Sequence, residues 1–199
     1  PFRLTRAQRR VMAEILADLA QPHPMQRLLQ GDVGSGKTVV AALAAAQAID
    51  NGYQAALMAP TEILAEQHFR KIASWLEPLG VNVAWLTGSL KKRDKDNARE
   101  RIESGTAQLV VGTHALIQHD VEFAKLGLVI VDEQHRFGVA QRLTLRNKGV
   151  GSVPHQLMMS ATPIPRTLQM AMSGLRELSV IQTPPVDRLA VRTYVMPWD

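Results

Sequence analysis

The sequence predicts an α/β domain: one mostly parallel central sheet with helices on both faces. Three observations carry that prediction. Short apolar runs recur along the chain, among them residues 55–59, 109–111 and 126–131. Strands buried on both faces require runs of that kind. The stretches between them repeat apolar residues at helical spacing. Finally, each cluster of chemistry-bearing polar residues falls just after an apolar run, where parallel sheets gather ligands at their carboxyl ends.

The elements follow in order. Residues 5–20 are predicted helical, because Val11, Ile15, Leu16 and Leu19 share one face. Thr5 and Gln8 have capping-box spacing. The alternative for Gln8, behind Phe2 and Leu4, is a pair of hydrogen bonds to the edges of an adenine. Residues 25–29 read as a strand and 39–49 as a helix rich in alanine, from Ala41 to Ala48, which favours the helix and lets it lie close on a sheet. Asn51-Gly52 ends that helix. A strand at 55–59 follows, and Thr61 is placed to cap a helix running to about residue 76. Residues 81–86 are the next strand. A charged helix then opens at Lys91-Lys92-Arg93-Asp94-Lys95 and closes at Ser104-Gly105. Its charges read as a solvated face, with a phosphate-backbone contact as the alternative. Strands at 109–111, 126–131 and 155–159, a helix at 165–172 stopped by Gly174, and a strand at 178–182 complete a domain set at residues 1–182. Thr183-Pro184-Pro185 breaks the pattern, and 183–199 read as a linker toward a further domain.

Composition narrows the class. The chain has 199 residues, 46% hydrophobic and 21% charged, enough for one substantial core. No apolar run approaches the ~20 residues that span a bilayer. The chain opens Pro1-Phe2-Arg3-Leu4-Thr5 without the apolar core of a leader and without Met, as expected of a piece of a longer protein. It contains no cysteine, which excludes disulfides and thiolate zinc sites and fits a reducing cytoplasm. The net charge of +5 and pI near 9.9 permit a polyanionic partner.

Two motifs carry the chemistry. Gly31-Asp32-Val33-Gly34-Ser35-Gly36-Lys37-Thr38 reads G-x-x-x-x-G-K-T, between a predicted strand and a predicted helix. Glycines let the backbone N–H groups turn inward, and the helix N-terminus adds partial positive charge, so a triphosphate has a seat. Lys37 is expected at the β- and γ-phosphates and the Thr38 hydroxyl at Mg²⁺. The second motif is an apolar strand ending in Asp132-Glu133-Gln134-His135. Asp132 is expected to hold Mg²⁺, and Glu133 to orient or deprotonate the attacking water. Gln134 and His135 are placed to sense the γ-phosphate or to link to Ser160 and Thr162; the alternative for His135 is a partly buried structural histidine. His114, His119, His135 and His155 lack the mutual spacing of metal ligands.

The succession Gly31–Thr38, Pro60-Thr61, Gly112-Thr113, Asp132-Glu133-Gln134-His135 and Ser160-Ala161-Thr162 resembles the first motor domain of superfamily 2 helicases. The blocks 4–8, 112–116, 132–139 and 158–167 narrow the resemblance to the RecG-type branched-DNA helicases. Transcription-repair coupling translocases share most blocks, but usually carry an aromatic where Ser35 stands and Glu where Gln134 stands.

The resemblance implies a single RecA-like P-loop domain that uses ATP and Mg²⁺. It implies that Gln8 contacts adenine, and that Pro60, Thr61, Thr87, Gly88, Gly112, Thr113 and His114 contact the DNA backbone. It further implies that Ser160 and Thr162 couple hydrolysis to movement. A second motor domain, outside these 199 residues, is implied as the source of an arginine finger, so the piece alone is expected to be nearly inactive. A bacterial, cytoplasmic, nucleoid-associated protein without membrane contact follows from the same resemblance. A nucleotide-gated binding module without turnover is the alternative from another class.

Overall fold

The computed structural model describes residues 6–21, 26–31, 36–113, 121–132, 154–160 and 177–181. Seven strands form one sheet: β1 (Gln26–Gly31), β2 (Gln54–Met58), β3 (Val83–Leu86), β4 (Leu109–Gly112), β5 (Leu126–Asp132), β6 (His155–Ser160) and β7 (Glu177–Ile181). Their order is β3-β4-β2-β5-β6-β1-β7, and every neighbouring pair is parallel. The described helices are α1 (Arg6–Leu19), α2 (Lys37–Asp50), α3 (Glu62–Leu76) and α4 (Lys92–Ser104), with a 3-10 turn at Glu77–Leu79.

Period-two alternation divides strands β2 to β6 between two cores. Ala55, Leu57, Leu128, Ile130, Leu157 and Met159 face one core, which α1, α2 and α3 cover. Ala56, Met58, Val129, Val131 and Met158 face the other, with Ala98 and Ile102 of α4 and with Val121 and Phe123. On α2, Val40, Ala41, Ala44, Ala45 and Ala48 are buried, so the alanine run does bring that helix close to the sheet. The helix closes as expected at Asn51-Gly52: Gly52 has φ +89°, and Tyr53 N–H donates back to the Ala48 carbonyl at 3.0 Å.

Two polar residues tie the layers together. Gln54, at the start of β2, donates from Nε2 to the carbonyls of Ile102 and Ala107 at 3.0 and 2.8 Å and accepts from Lys125 N–H at 2.8 Å. Arg27 on β1 donates from Nε to Asp18 of α1 at 2.7 Å. On α4, Ala98 and Ile102 are buried while charges of both signs lie outward, so the expected solvated face is present. Boundaries moved by a residue or two, and the shift at α2 matters most: it starts at Lys37, so Lys37 and Thr38 belong to its first turn. The expected helix at 165–172 and the linker at 183–199 lie outside the described residues.

Candidate functional site

The sheet divides its carboxyl edge into two halves. On one half, β1 ends at Gly31 and α2 begins at Lys37. Gly36 is the N-cap, with φ 90° and ψ 23°, the left-handed conformation that favours glycine. The first turn of α2 carries no acidic residue, and its N-cap glycine offers no side-chain hydrogen bond. Its N–H groups and the helix dipole therefore suit an anion. Asp32, Val33, Gly34 and Ser35 lie outside the described residues, and Gly31 is described only as a strand residue.

Gln8 on α1 is 6% exposed and donates from Nε2 to the Gly36 carbonyl at 3.3 Å. A Cβ placed on Gly36 would lie 1.8 Å from that same Nε2. The contact was not anticipated from spacing: Gln8 buttresses the phosphate-type loop from behind. Its amide nitrogen carries two protons, so the contact is compatible with a further partner. Thr5, the capping-box partner, lies outside the described residues.

Strand β6 separates β1 from β5. Asp132 stands level with Met159, and Ser160, one residue further along β6, stands level with Gln30. With strands spaced about 4.8 Å apart, the Asp132 strand and the loop strand are about 10 Å apart. Asp132 shares the parity of Leu128 and Ile130, so it faces the α1–α3 side.

On that side it meets a residue that spacing arguments did not single out. His68 Nε2 lies 2.6 Å from Asp132 Oδ2, with the two side chains 12% and 8% exposed. When Asp132 is ionised its carboxylate accepts and His68 Nε2 donates. The only signal for His68 was a polar residue in the sheet-facing stripe of α3, between Ala65 and Ile72, which are buried. Glu133, Gln134, His135 and Thr162 lie outside the described residues, as does the side chain of Ser160.

The other half of the edge gathers three expected contact segments. Register places Met58 and Leu86 each level with Gly112. Ala59 N–H donates to the Gly112 carbonyl at 2.9 Å, and Thr113 N–H to the Leu86 carbonyl at 3.4 Å. Pro60-Thr61, Thr87-Gly88 and Gly112-Thr113 therefore form one row across β2, β4 and β3, although they are far apart in sequence. Thr87 is 0% exposed, with its hydroxyl 3.4 Å from Ser89 Oγ. Thr113 and Gly112 are also buried, whereas Thr61 and Gly88 are exposed. His114 lies outside the described residues. The Thr61 hydroxyl accepts from Leu64 N–H at 3.2 Å, capping α3 as expected.

The family model for DEAD/DEAH box helicases matches residues 5–171. The chain belongs to the DEAD/DEAH box helicase family. It is 56% identical over 198 residues to the ATP-dependent DNA helicase RecG of Haemophilus influenzae, covering 98% of this chain and 29% of that protein. It is 55% identical over 193 residues to the RecG of Aquifex aeolicus, covering 97% of this chain and 24% of that protein. A solved structure of RecG bound to a three-way DNA junction matches it with a TM-score of 0.81 at 44% identity, covering 98% of this chain and 28% of that one. The chain thus spans less than a third of these relatives' length.

The domain is a RecA-like α/β fold, as the DEAD/DEAH box family and the parallel sheet require. ATP use follows from that family. No described helix is long and apolar enough to cross a membrane. Of the expected site residues, the structure brings Gln8 to Gly36 and sets the strands of Gly31, Asp132 and Ser160 side by side. It also aligns the three contact segments on the opposite half of the edge.

Proposed function

We propose that this chain is the first motor lobe of a RecG-type ATP-dependent DNA helicase that remodels branched DNA. The observation that carries the proposal is the division of one sheet edge: the phosphate-type loop and Asp132 flank β6, and the three contact segments line the strands beyond β5. The similarity to RecG over nearly the whole chain supports the DNA-remodelling reading over other motors of the family.

In this reading Lys37 and the α2 N-terminus hold the phosphates, Gln8 supports Gly36 and contacts the adenine, and Thr38 with Asp132 holds Mg²⁺. The donor set fits: a hydroxyl and a carboxylate are the hard oxygen ligands Mg²⁺ takes. When bound, Mg²⁺ neutralises charge on the β- and γ-phosphates. Glu133 orients the attacking water, and Gln134, His135, Ser160 and Thr162 relay the phosphate state to the nucleic-acid half. Pro60, Thr61, Gly88, Gly112, Thr113 and His114 grip the DNA through its phosphates, which carries no sequence information and suits a translocase. Thr87 joins that grip, and its hydroxyl contact with Ser89 supports the segment that carries Gly88. A second motor domain of the same protein supplies the arginine finger. The protein works in the bacterial cytoplasm, at the nucleoid.

The test is steady-state ATP hydrolysis by the full-length protein with forked DNA, linear duplex, single-stranded DNA and RNA at one salt concentration, since phosphate contacts make affinity salt-dependent. Strongest stimulation by forked DNA is expected. Equal or stronger stimulation by linear duplex or RNA would overturn the branched-DNA assignment.

A further inference from the structure

The motif residues do not account for the contact between α3 and the end of β5. We propose that His68 is a positioning residue that links the nucleic-acid row to the Mg²⁺-side carboxylate, making the response of ATP turnover to DNA depend on the His68–Asp132 hydrogen bond. The proposal rests on the reading that Asp132 serves the nucleotide site.

Three observations place His68 in that role. First, it lies on the sheet-facing stripe of α3, where Ala65 and Ile72 are buried apolar residues. An apolar side chain would fill this position without desolvating polar groups; burying His and Asp together is favourable only when they bond each other. The bond is short, 2.6 Å, and directional. It fixes Asp132 through Oδ2. That arrangement orients a carboxylate toward a cation on its other side.

Second, the far end of the same helix belongs to the nucleic-acid row. Thr61 is the N-cap of α3, and its hydroxyl is bound to Leu64 N–H. Glu62, in the first turn, accepts from Ser89 Oγ, joining α3 to the Thr87-Gly88-Ser89 segment after β3. Two of the three row segments are therefore attached to the start of α3.

Third, His68 lies seven residues beyond Thr61, which is two turns of helix, about 10 Å along the same face. A helix is stiff over that length. A displacement of Thr61 or of the Ser89 segment on DNA binding reaches Asp132 through one rigid element and one hydrogen bond. Phe69 anchors the same turn, its ring 5.3 Å from that of Trp85 on β3.

The test uses the full-length protein carrying His68→Ala, His68→Phe or His68→Gln. Gln is chosen because its Nε2 reaches the place of the imidazole Nε2 and still donates; Phe keeps the ring but donates nothing. Two readouts are taken: ATP hydrolysis with and without forked DNA, and affinity for a fluorescent ADP analogue in Mg²⁺ and in EDTA. Partners that orient metal ligands typically change metal affinity or activity about 10–100-fold. His68→Ala and His68→Phe are expected to lower DNA-stimulated kcat by about that factor and to lose the gain in nucleotide affinity that Mg²⁺ confers. Affinity in EDTA stays unchanged, and His68→Gln recovers most of both.

If His68→Ala unfolds, as a thermal melt would reveal, the Phe and Gln pair decides the matter. Wild-type kinetics in His68→Phe overturn the proposal, as does equal loss in His68→Gln and His68→Phe. A wild-type protein that shows no DNA-stimulated turnover refutes the functional reading instead. The Mg²⁺ dependence of nucleotide affinity in the variants then decides the role of His68 by itself.

Discussion

A side chain at Gly36 is disfavoured for two independent reasons. Its φ of 90° lies in the left-handed region, and a Cβ would meet Gln8 Nε2 at 1.8 Å. The conformational part alone costs an L-residue about 1–2 kcal/mol. Gly36→Ala is expected to lower the melting temperature of the protein and to weaken ATP binding, because Gln8 must leave the loop it supports. Calorimetry and nucleotide titration check both; a variant with unchanged ATP affinity would remove Gln8 and Gly36 from the site. Lys37→Ala acts through chemistry rather than through conformation. It deletes the cation in the first turn of α2 while leaving the helix a better former, so folding is expected to survive and ATP turnover to vanish. Circular dichroism and a phosphate-release assay distinguish those outcomes. The G-x-x-x-x-G-K-T spacing made both residues legible from the chain alone. His68 was not legible, because a histidine within an apolar helical stripe looks like any core position until its partner on another element is known.

At the scale of elements, helices are held to the sheet by apolar stripes, but their ends are fixed by polar bonds. Gln54 is the clearest case, joining β2 to the end of α4 and to the approach to β5 through three hydrogen bonds. Gln54→Leu keeps the volume and removes every one of those bonds. It leaves the Ala107 carbonyl and Lys125 N–H without this partner, and a cost of about 2–6 kcal/mol is expected at about 1–3 kcal/mol for each of the two stranded groups. Urea denaturation measures it; a loss below 0.5 kcal/mol, within the ordinary scatter of surface changes, would mean water replaces the glutamine. Thr61→Ala removes the cap of α3 and is expected to cost about 1 kcal/mol. If Thr61 also grips DNA, the same variant lowers DNA affinity beyond what its stability loss explains. Caps, helix stops and strand cores were readable in order because each depends on residues close in sequence. Boundaries slipped where hydrogen bonding, not composition, decided the last residue, as at Lys37.

In the proposed reading, one sheet edge carries a nucleotide half and a nucleic-acid half, which is half of what a two-lobed motor needs. ATP hydrolysis by the 199-residue chain alone is accordingly expected to be at least ~10³-fold slower than by the full-length protein with DNA, the contribution an arginine finger makes. Comparable rates would mean that the catalytic set is complete within this chain. Composition and the periodicity of apolar residues determined the α/β class and most of the elements, and the two phosphate motifs marked the proposed nucleotide side of the site. All of these rest on local rules, in which a residue's neighbours in sequence dictate its backbone and its face. Only the tertiary structure decided the strand order β3-β4-β2-β5-β6-β1-β7, the alignment of Pro60, Gly88 and Thr113 into one row, the burial of Thr87, and the meetings of Gln8 with Gly36 and of His68 with Asp132. Those depend on which strands lie side by side and on which face each side chain emerges, and a chain read in one dimension does not specify either.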